Sequence, residues 1–235
     1  MSVRGIDVEV FRKDIKNLHV GIHPPEGRVR VAAPLKLSEE AVRLAVVTRL
    51  GWIQRQRRGF AEQVRQSERE MVTGESHFYL GRRYLLDVVE SDGRSSVSIP
   101  NNTTIRLQVP EHSDREVREA VLSRWYRRQM KQMLPELVQK WEPVVGVEAA
   151  EVRIKRMKTR WGSCNQEAGR IWLNLELIKK PATCMEYVLV HEMVHFHERH
   201  HNQHFRDLLT RAMPNWTSLR DELNRAPLSH EDWTY

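Results

Sequence analysis

Val8, Val10, Leu18, Val20 and Ile22 alternate with polar neighbours, as do Val29 and Val31, which is the period of half-buried strands. His23-Pro24-Pro25-Glu26-Gly27 reads as a hairpin connection, and Pro34 closes this strand group. Ser38-Glu39-Glu40 then supplies helix-start chemistry, a capping hydroxyl followed by first-turn acids, and a helical pattern continues to about Glu70. A second strand group covers Phe78 to Tyr84, Leu85 to Glu90, Val97 to Ile99 and Ile105 to Val109, with Ser91-Asp92-Gly93 as a turn. Pro110 to Ser113 marks a boundary. Beyond it Asp114 caps a helix that should reach about Trp141 with an interruption near Pro135. Val152 and Ile154 alternate with Arg153 and Lys155, and Ile171, Leu173 and Leu175 predict a further strand. Pro181 and a capping-box sequence, Thr183-Cys184-Met185-Glu186, open the next helix. Shorter helices around Phe205 to Met213 and Trp216 to Asn224 follow. No internal repeat or low-complexity tract is visible. The pattern predicts an α+β protein, with a strand-rich lobe over residues 1–110 and a helical lobe with a small antiparallel sheet over 111–235, or one continuous domain.

Composition narrows the class. The 235 residues carry 38 Lys+Arg against 31 Asp+Glu, a net charge of +7. Hydrophobic residues at 40% and charged residues at 29% fit a globular chain and exclude disorder as its dominant state. No run of 18 apolar residues exists, so no transmembrane helix is expected. MSVRGIDVEVFRKDIK carries charges where a signal peptide needs an apolar run, and two cysteines cannot build a disulfide framework, so a cytoplasmic location is expected. The basic balance permits an anionic partner without locating one.

Chemistry concentrates late in the chain. Six of the eleven histidines lie between 191 and 204, in VLVHEMVHFHERHHNQHF. His191 and His195 are four apart, so on a helix both imidazoles leave one face, the convergence that a zinc ion with short Zn–N bonds requires. Glu192 lies between them, in the place of the general base of H-E-x-x-H enzymes, where it would take a proton from zinc-bound water and return it to the leaving amine. His201 gives H-E-x-x-H-x5-H, the extended zincin spacing, and is the expected third ligand. Glu198 fills the slot that Gly normally takes in that turn. His204 is the alternative ligand, then His197 or His200, and Cys164 a further one by analogy with deformylases. Cys184 reads as a small buried residue.

These residues resemble a known family. His191 to Phe205, with a third His six residues after the second and an aromatic four further on, looks like the motif of the YgjP-like metallopeptidases, relatives of the SprT-like and WLM zinc proteases. Arg160-Trp161-Gly162-Ser163-Cys164 resembles the family's R-W-G-S-C signature, and Ile171-Trp172-Leu173-Asn174-Leu175 its strand before the catalytic helix. Leu80-Gly81-Arg82-Arg83-Tyr84, the helix reaching Trp52 and Met213-Pro214-Asn215-Trp216 fit as well. His200 departs from the pattern, where family members often carry Asn. The resemblance implies one Zn2+ per chain, a zincin-like catalytic lobe and peptidase activity on a peptide or protein, without naming a substrate.

The neighbouring residues then acquire expected roles. Trp161, Gly162, Ser163 and Cys164 should form a tight turn beside the zinc, as a wall of the cleft or as packing. The Ile171–Leu175 strand could receive an extended peptide along its edge. Tyr187 and His204 are candidate oxyanion stabilisers. Arg153, Lys155, Arg156, Lys158 and Arg160 make a dense basic run leading to the site, a candidate contact for nucleic acid. DNA-linked proteolysis among the SprT-like and WLM relatives points the same way. The expected activity is amide-bond hydrolysis. The alternatives are a nucleic-acid-binding module with a structural or vestigial zinc site, and a deformylase-like amidohydrolase.

Overall fold

The computed structural model describes residues 1–23, 28–62, 69–157 and 160–225. The fold is α+β, and the chain divides into two compact units, Met1–Ser67 and Glu68–Ala226.

In the first unit, alternating apolar residues build β1 (Ser2–Val3), β2 (Ile6–Lys13), β3 (His19–His23) and β4 (Arg28–Pro34). They form one sheet in the order β1-β2-β4-β3, with β2 and β4 parallel and the two outer pairings antiparallel. Two helices follow, α1 (Glu39–Val47) and α2 (Leu50–Glu62). Ser38 caps α1 as its sequence predicts, its Oγ accepting from the Ala41 amide at 3.2 Å. Val8, Val29, Val31 and Ala33 of the sheet share one core with Val42, Val46 and Ile53 of the helices. The hairpin residues Pro24–Gly27 and the expected helical continuation over 63–68 lie outside the described residues.

The second unit opens with β5 (Ser76–Tyr79), β6 (Arg82–Glu90), β7 (Ser96–Asn101) and β8 (Thr104–Val109), in the order β5-β6-β8-β7. Its parallel and antiparallel pairings repeat those of the first sheet. The repeat that the sequence hid is therefore structural. Arg4-Gly5 and Leu80-Gly81 make the same positive-φ turns, at 48° and 79° and at 47° and 80°. Pro34 and Pro110 both follow the last strand, and Ser38 and Asp114 both cap the next helix. Arg30 pairs with Glu9 and Arg106 with Asp87, each at 2.8 Å across the central parallel strands. Every one of these arginine, glycine, proline and cap equivalents lies 76 residues apart. Val8 pairs with Val29, but Leu86 rather than Tyr84 pairs with Ile105. That is a two-residue slip, which keeps each side chain on its face.

The second unit then extends beyond this module. Pro110 to Ser113 joins β8 to α3 (Arg115–Val145) inside the unit. Pro135 does not interrupt α3. It costs the helix one hydrogen bond, to Lys131, while Val121, Leu122, Trp125, Tyr126, Met130 and Leu134 bury one face of the helix. Gly146, at φ 75°, ends it. β9 (Glu151–Lys155), β10 (Gly162–Asn165) and β11 (Arg170–Asn174) form a mixed sheet rather than an antiparallel one. β11 is central, antiparallel to β10 and parallel to β9, so it has no free edge for a peptide.

A 3-10 turn (Leu175–Lys179) leads into α4 (Ala182–Val194). The predicted capping box goes unused. Pro181 begins α4, and Glu186 instead accepts from Lys140 Nζ and Trp141 Nε1. Phe78 to Tyr84 is two strands because Leu80-Gly81 turns the chain, and a Cβ on Gly81 would lie 2.9 Å from Pro181 Cγ. The amides of both turn residues bond to Ile178 and Lys179 carbonyls, fixing the approach to α4. α5 (Gln203–Ala212) and α6 (Trp216–Arg225) complete the unit.

Candidate metal centre

α4 is buried almost throughout, from Tyr187 to Val194 without a break, so its polar residues have little water to meet. The four-residue spacing puts His191 and His195 on one face, where their rings stand 5.0 Å apart. The chain then turns back through 195–198, with no positive φ between His195 and His201. Glu198 in the glycine slot is thus accommodated, and its carbonyl lies 3.0 Å from His195 Nδ1. Asn202 caps α5 through the Phe205 amide at 2.9 Å, and this cap delivers His201 to the other two histidines. His201 Nε2 lies 2.9 Å from His191 Nε2 and 3.1 Å from His195 Nε2. Phe205 packs against all three rings at 4.7–4.9 Å.

This is the convergent metal-capable set among the described residues. Tetrahedral zinc with Zn–N bonds of about 2.0–2.1 Å needs nitrogens roughly 3.3 Å apart. The observed separations come within a few tenths of an ångström of that. Three histidines with a fourth position open are also a catalytic zinc set. Burial pushes the pKa of all three histidines down, that of His191 to about 3, which keeps the imidazoles neutral as ligands must be.

Glu192, 3% exposed, leaves α4 towards β10. A Cβ on Gly162 would lie 2.6 Å from Glu192 Oε1, so only glycine fits there. Burial pushes the carboxyl up to about 8, opposed only by the charge of Arg160.

The remaining candidates separate. Trp161 is 1% exposed, with Lys180 over its ring, which fits the packing role. The predicted tight turn is instead β10, which carries Gly162, Ser163 and Cys164 as an edge strand. Cys164 lies outside the histidine set, its thiol pushed up to about 12 by burial and by Glu192. Tyr187 stands edge-on to His191 at 5.9 Å, with its phenol pushed up to about 12 by burial. His197 Nε2 bonds the Val145 carbonyl at 2.9 Å, and the His200 amide donates to Glu198 Oε1 at 2.9 Å. His204 is exposed, beside Glu198. The basic run does not converge. Arg153 and Lys155 flank Trp172, Arg156 pairs with Glu119 and Glu176, and Arg160 lies near Glu192. Lys158 lies outside the described residues.

A profile described as the YgjP-like metallopeptidase domain matches residues 18–226. The chain belongs to the YgjP-like metallopeptidase family. Membership makes it a peptidase acting on a protein or peptide, and it implies a metal. No curated protein matches. Among solved structures, the metallopeptidase zymogen of Pyrococcus abyssi abylysin shares 20% identity, with a TM-score of 0.36, over 38% of this chain and 90% of its own. No helix among the described residues is long and apolar enough to cross a membrane.

In this YgjP-like metallopeptidase, two features near the three convergent histidines leave no local mark in the sequence. Gln166, in the β10–β11 turn, donates its side-chain amide to the His195 carbonyl. Trp216, Arg206 and Arg220 meet Tyr187 and the His191 and His201 rings around one cavity. Neither follows from spacing, because both are long-range contacts.

Proposed function

We propose that this metallopeptidase holds one zinc ion at His191, His195 and His201 and hydrolyses peptide bonds with Glu192 as general base and acid. The supporting observation is that three neutral imidazoles converge beside a buried carboxylate. When bound, zinc supplies Lewis acidity, polarising the scissile carbonyl and lowering the pKa of a water. The chain's own groups do the rest. Glu192 accepts a proton from the attacking water and delivers it to the leaving amine. Gly162 gives the carboxylate its room. Among the described residues β10 pairs with β11 alone, so its other edge is offered to an extended substrate, and it lies against Glu192.

The test is metal dependence. About one zinc per chain is expected, with cleavage of an unfolded protein lost on chelation and restored by zinc. Cleavage that persists without metal would contradict the reading.

A second surface supports contact with nucleic acid. Arg153 and Lys155 lie over the Trp172 ring at 5.4 and 5.9 Å. Arg127 and Lys131 of α3 line the same groove as Arg153 and Trp172. Binding of single-stranded DNA should weaken steeply with salt and fall in Arg153→Glu. Salt-independent binding would exclude phosphate contact.

A further inference from the structure

A cavity of about 270 Å³ opens beside the ligand histidines, with His191 and His201 as one wall. Phe205, Leu209 and Leu223 line its depth, each no more than 2% exposed. The rings of Tyr187 and Trp216 stand at its sides. Arg206 and Arg220, both exposed, stand at its rim. Arg220 lies over the Trp216 ring at 5.2 Å and pairs with Asp221 at 3.0 Å, while Arg206 donates to the His201 carbonyl at 3.2 Å and to Gln203. No acidic side chain among the described residues lines the cavity.

Position decides what can enter. Consecutive Cα atoms are about 3.8 Å apart. With a scissile carbonyl at the ligand nitrogens, the residues sharing that bond are therefore best placed to reach a cavity walled by the same imidazoles. The buried lining rewards apolar surface, and the volume suits one large side chain. The two guanidinium groups repel a cation and attract a carboxylate.

Resting on the zinc-peptidase reading above, we infer that this cavity selects a large aromatic or aliphatic side chain on one residue of the scissile bond. Arg206 and Arg220 favour an acidic residue beside it and disfavour a basic one. The cavity thus defines the substrate class as peptides with an apolar–acidic pair at the cut.

The test uses a peptide series of fixed frame, with Phe, Leu, Ala or Lys at the apolar position and Asp or Lys beside it. Turnover is measured with the zinc-loaded wild type, and binding by calorimetry with zinc-loaded Glu192→Gln. Phe and Leu should exceed Ala and Lys by at least tenfold in both kcat/KM and affinity, the scale of a well-filled apolar pocket. Asp should exceed its Lys counterpart severalfold, and Arg206→Glu combined with Arg220→Glu should reverse that order. Equal use of the whole series, or an Asp preference untouched by charge reversal, overturns the inference. Selective binding without wild-type cleavage keeps the cavity assignment and sinks the peptidase reading. Cleavage without preference does the reverse, and neither binding nor cleavage sinks both.

Discussion

The two units begin from one module, four strands and a helical segment, and bury different things. Among the described residues of the first unit, every buried side chain is apolar. The second buries His77, Asn174, Glu176, Lys180, His191 and Glu192. Most of these polar groups are matched by neighbours. His77 Nε2 meets Glu75 at 3.0 Å, and Asn174 bonds the backbone of Met157, Arg160 and Glu176. Glu176 pairs with Lys179 at 2.6 Å and Arg156 at 3.8 Å, and Lys180 lies over the Trp161 ring. Glu192 draws no ion pair among the described residues. Buried polarity is inexpensive where it is matched and costly where it is not. A costly group retained beside three convergent histidines is therefore the mark of the site. The three histidines and Glu192 all lie in the extension that follows α3, outside the shared module.

The comparison breaks first at the metal. His191→Ala should cost zinc affinity more than the roughly 10–100-fold typical of changes behind the ligands. Metal analysis after dialysis checks this, and full zinc retention would remove the site from the second unit. Gly162→Ala comes next. Its methyl must displace the Glu192 carboxylate, so peptidase activity should fall sharply with about 1–3 kcal/mol of stability, read by kcat and thermal melts.

Acid–base balance sharpens the same contrast. In metal-free protein the folded state holds the Glu192 proton up to about pH 8, whereas the unfolded chain releases it near the ordinary carboxylate value. On its own, the Glu192 contribution should therefore make stability fall as pH rises from about 5 to about 8. Glu192→Gln lacks that loss, so its advantage in melting temperature should be larger at pH 8.5 than at pH 5. His191 works in the opposite direction below the ordinary histidine value, with His77, His195 and His201 shifted the same way. Held neutral down to about 3, it costs stability as pH falls below the ordinary histidine value.

The smallest effect tests the repeat itself. Arg30→Met and Arg106→Met each remove an exposed cross-strand ion pair, so each should cost only about 0.2–1 kcal/mol, and by similar amounts. A large difference between them would show that the module's equivalence stops at topology.

What the sequence discloses follows the range of the physics. His191, Glu192 and His195 are legible because helical period is local, and Ile171 and Leu173 mark β11 by alternation. Gly162-Ser163-Cys164-Asn165 lacks that alternation, so β10 reads as a turn. The central place of β11 depends on strand order, which no local pattern encodes. The helix over Pro135 survives because its buried face outweighs one lost hydrogen bond. The duplicated module hides because its sheets keep apolar character while changing nearly every residue. The turn glycines, Pro34 and Pro110, the helix caps, and Arg30 and Arg106 preserve its 76-residue spacing, whereas their acidic partners Glu9 and Asp87 lie 78 apart.

In the proposed reaction Glu192 moves the proton while three histidines hold the metal. The most direct measurement is cleavage of an unfolded protein by wild type and Glu192→Gln, each with its zinc content determined in the same preparation. The expected result is equal zinc, about one per chain, with the rate in Glu192→Gln lower by about 10²–10⁴-fold. Equal rates at equal zinc would remove Glu192 from the proton transfer.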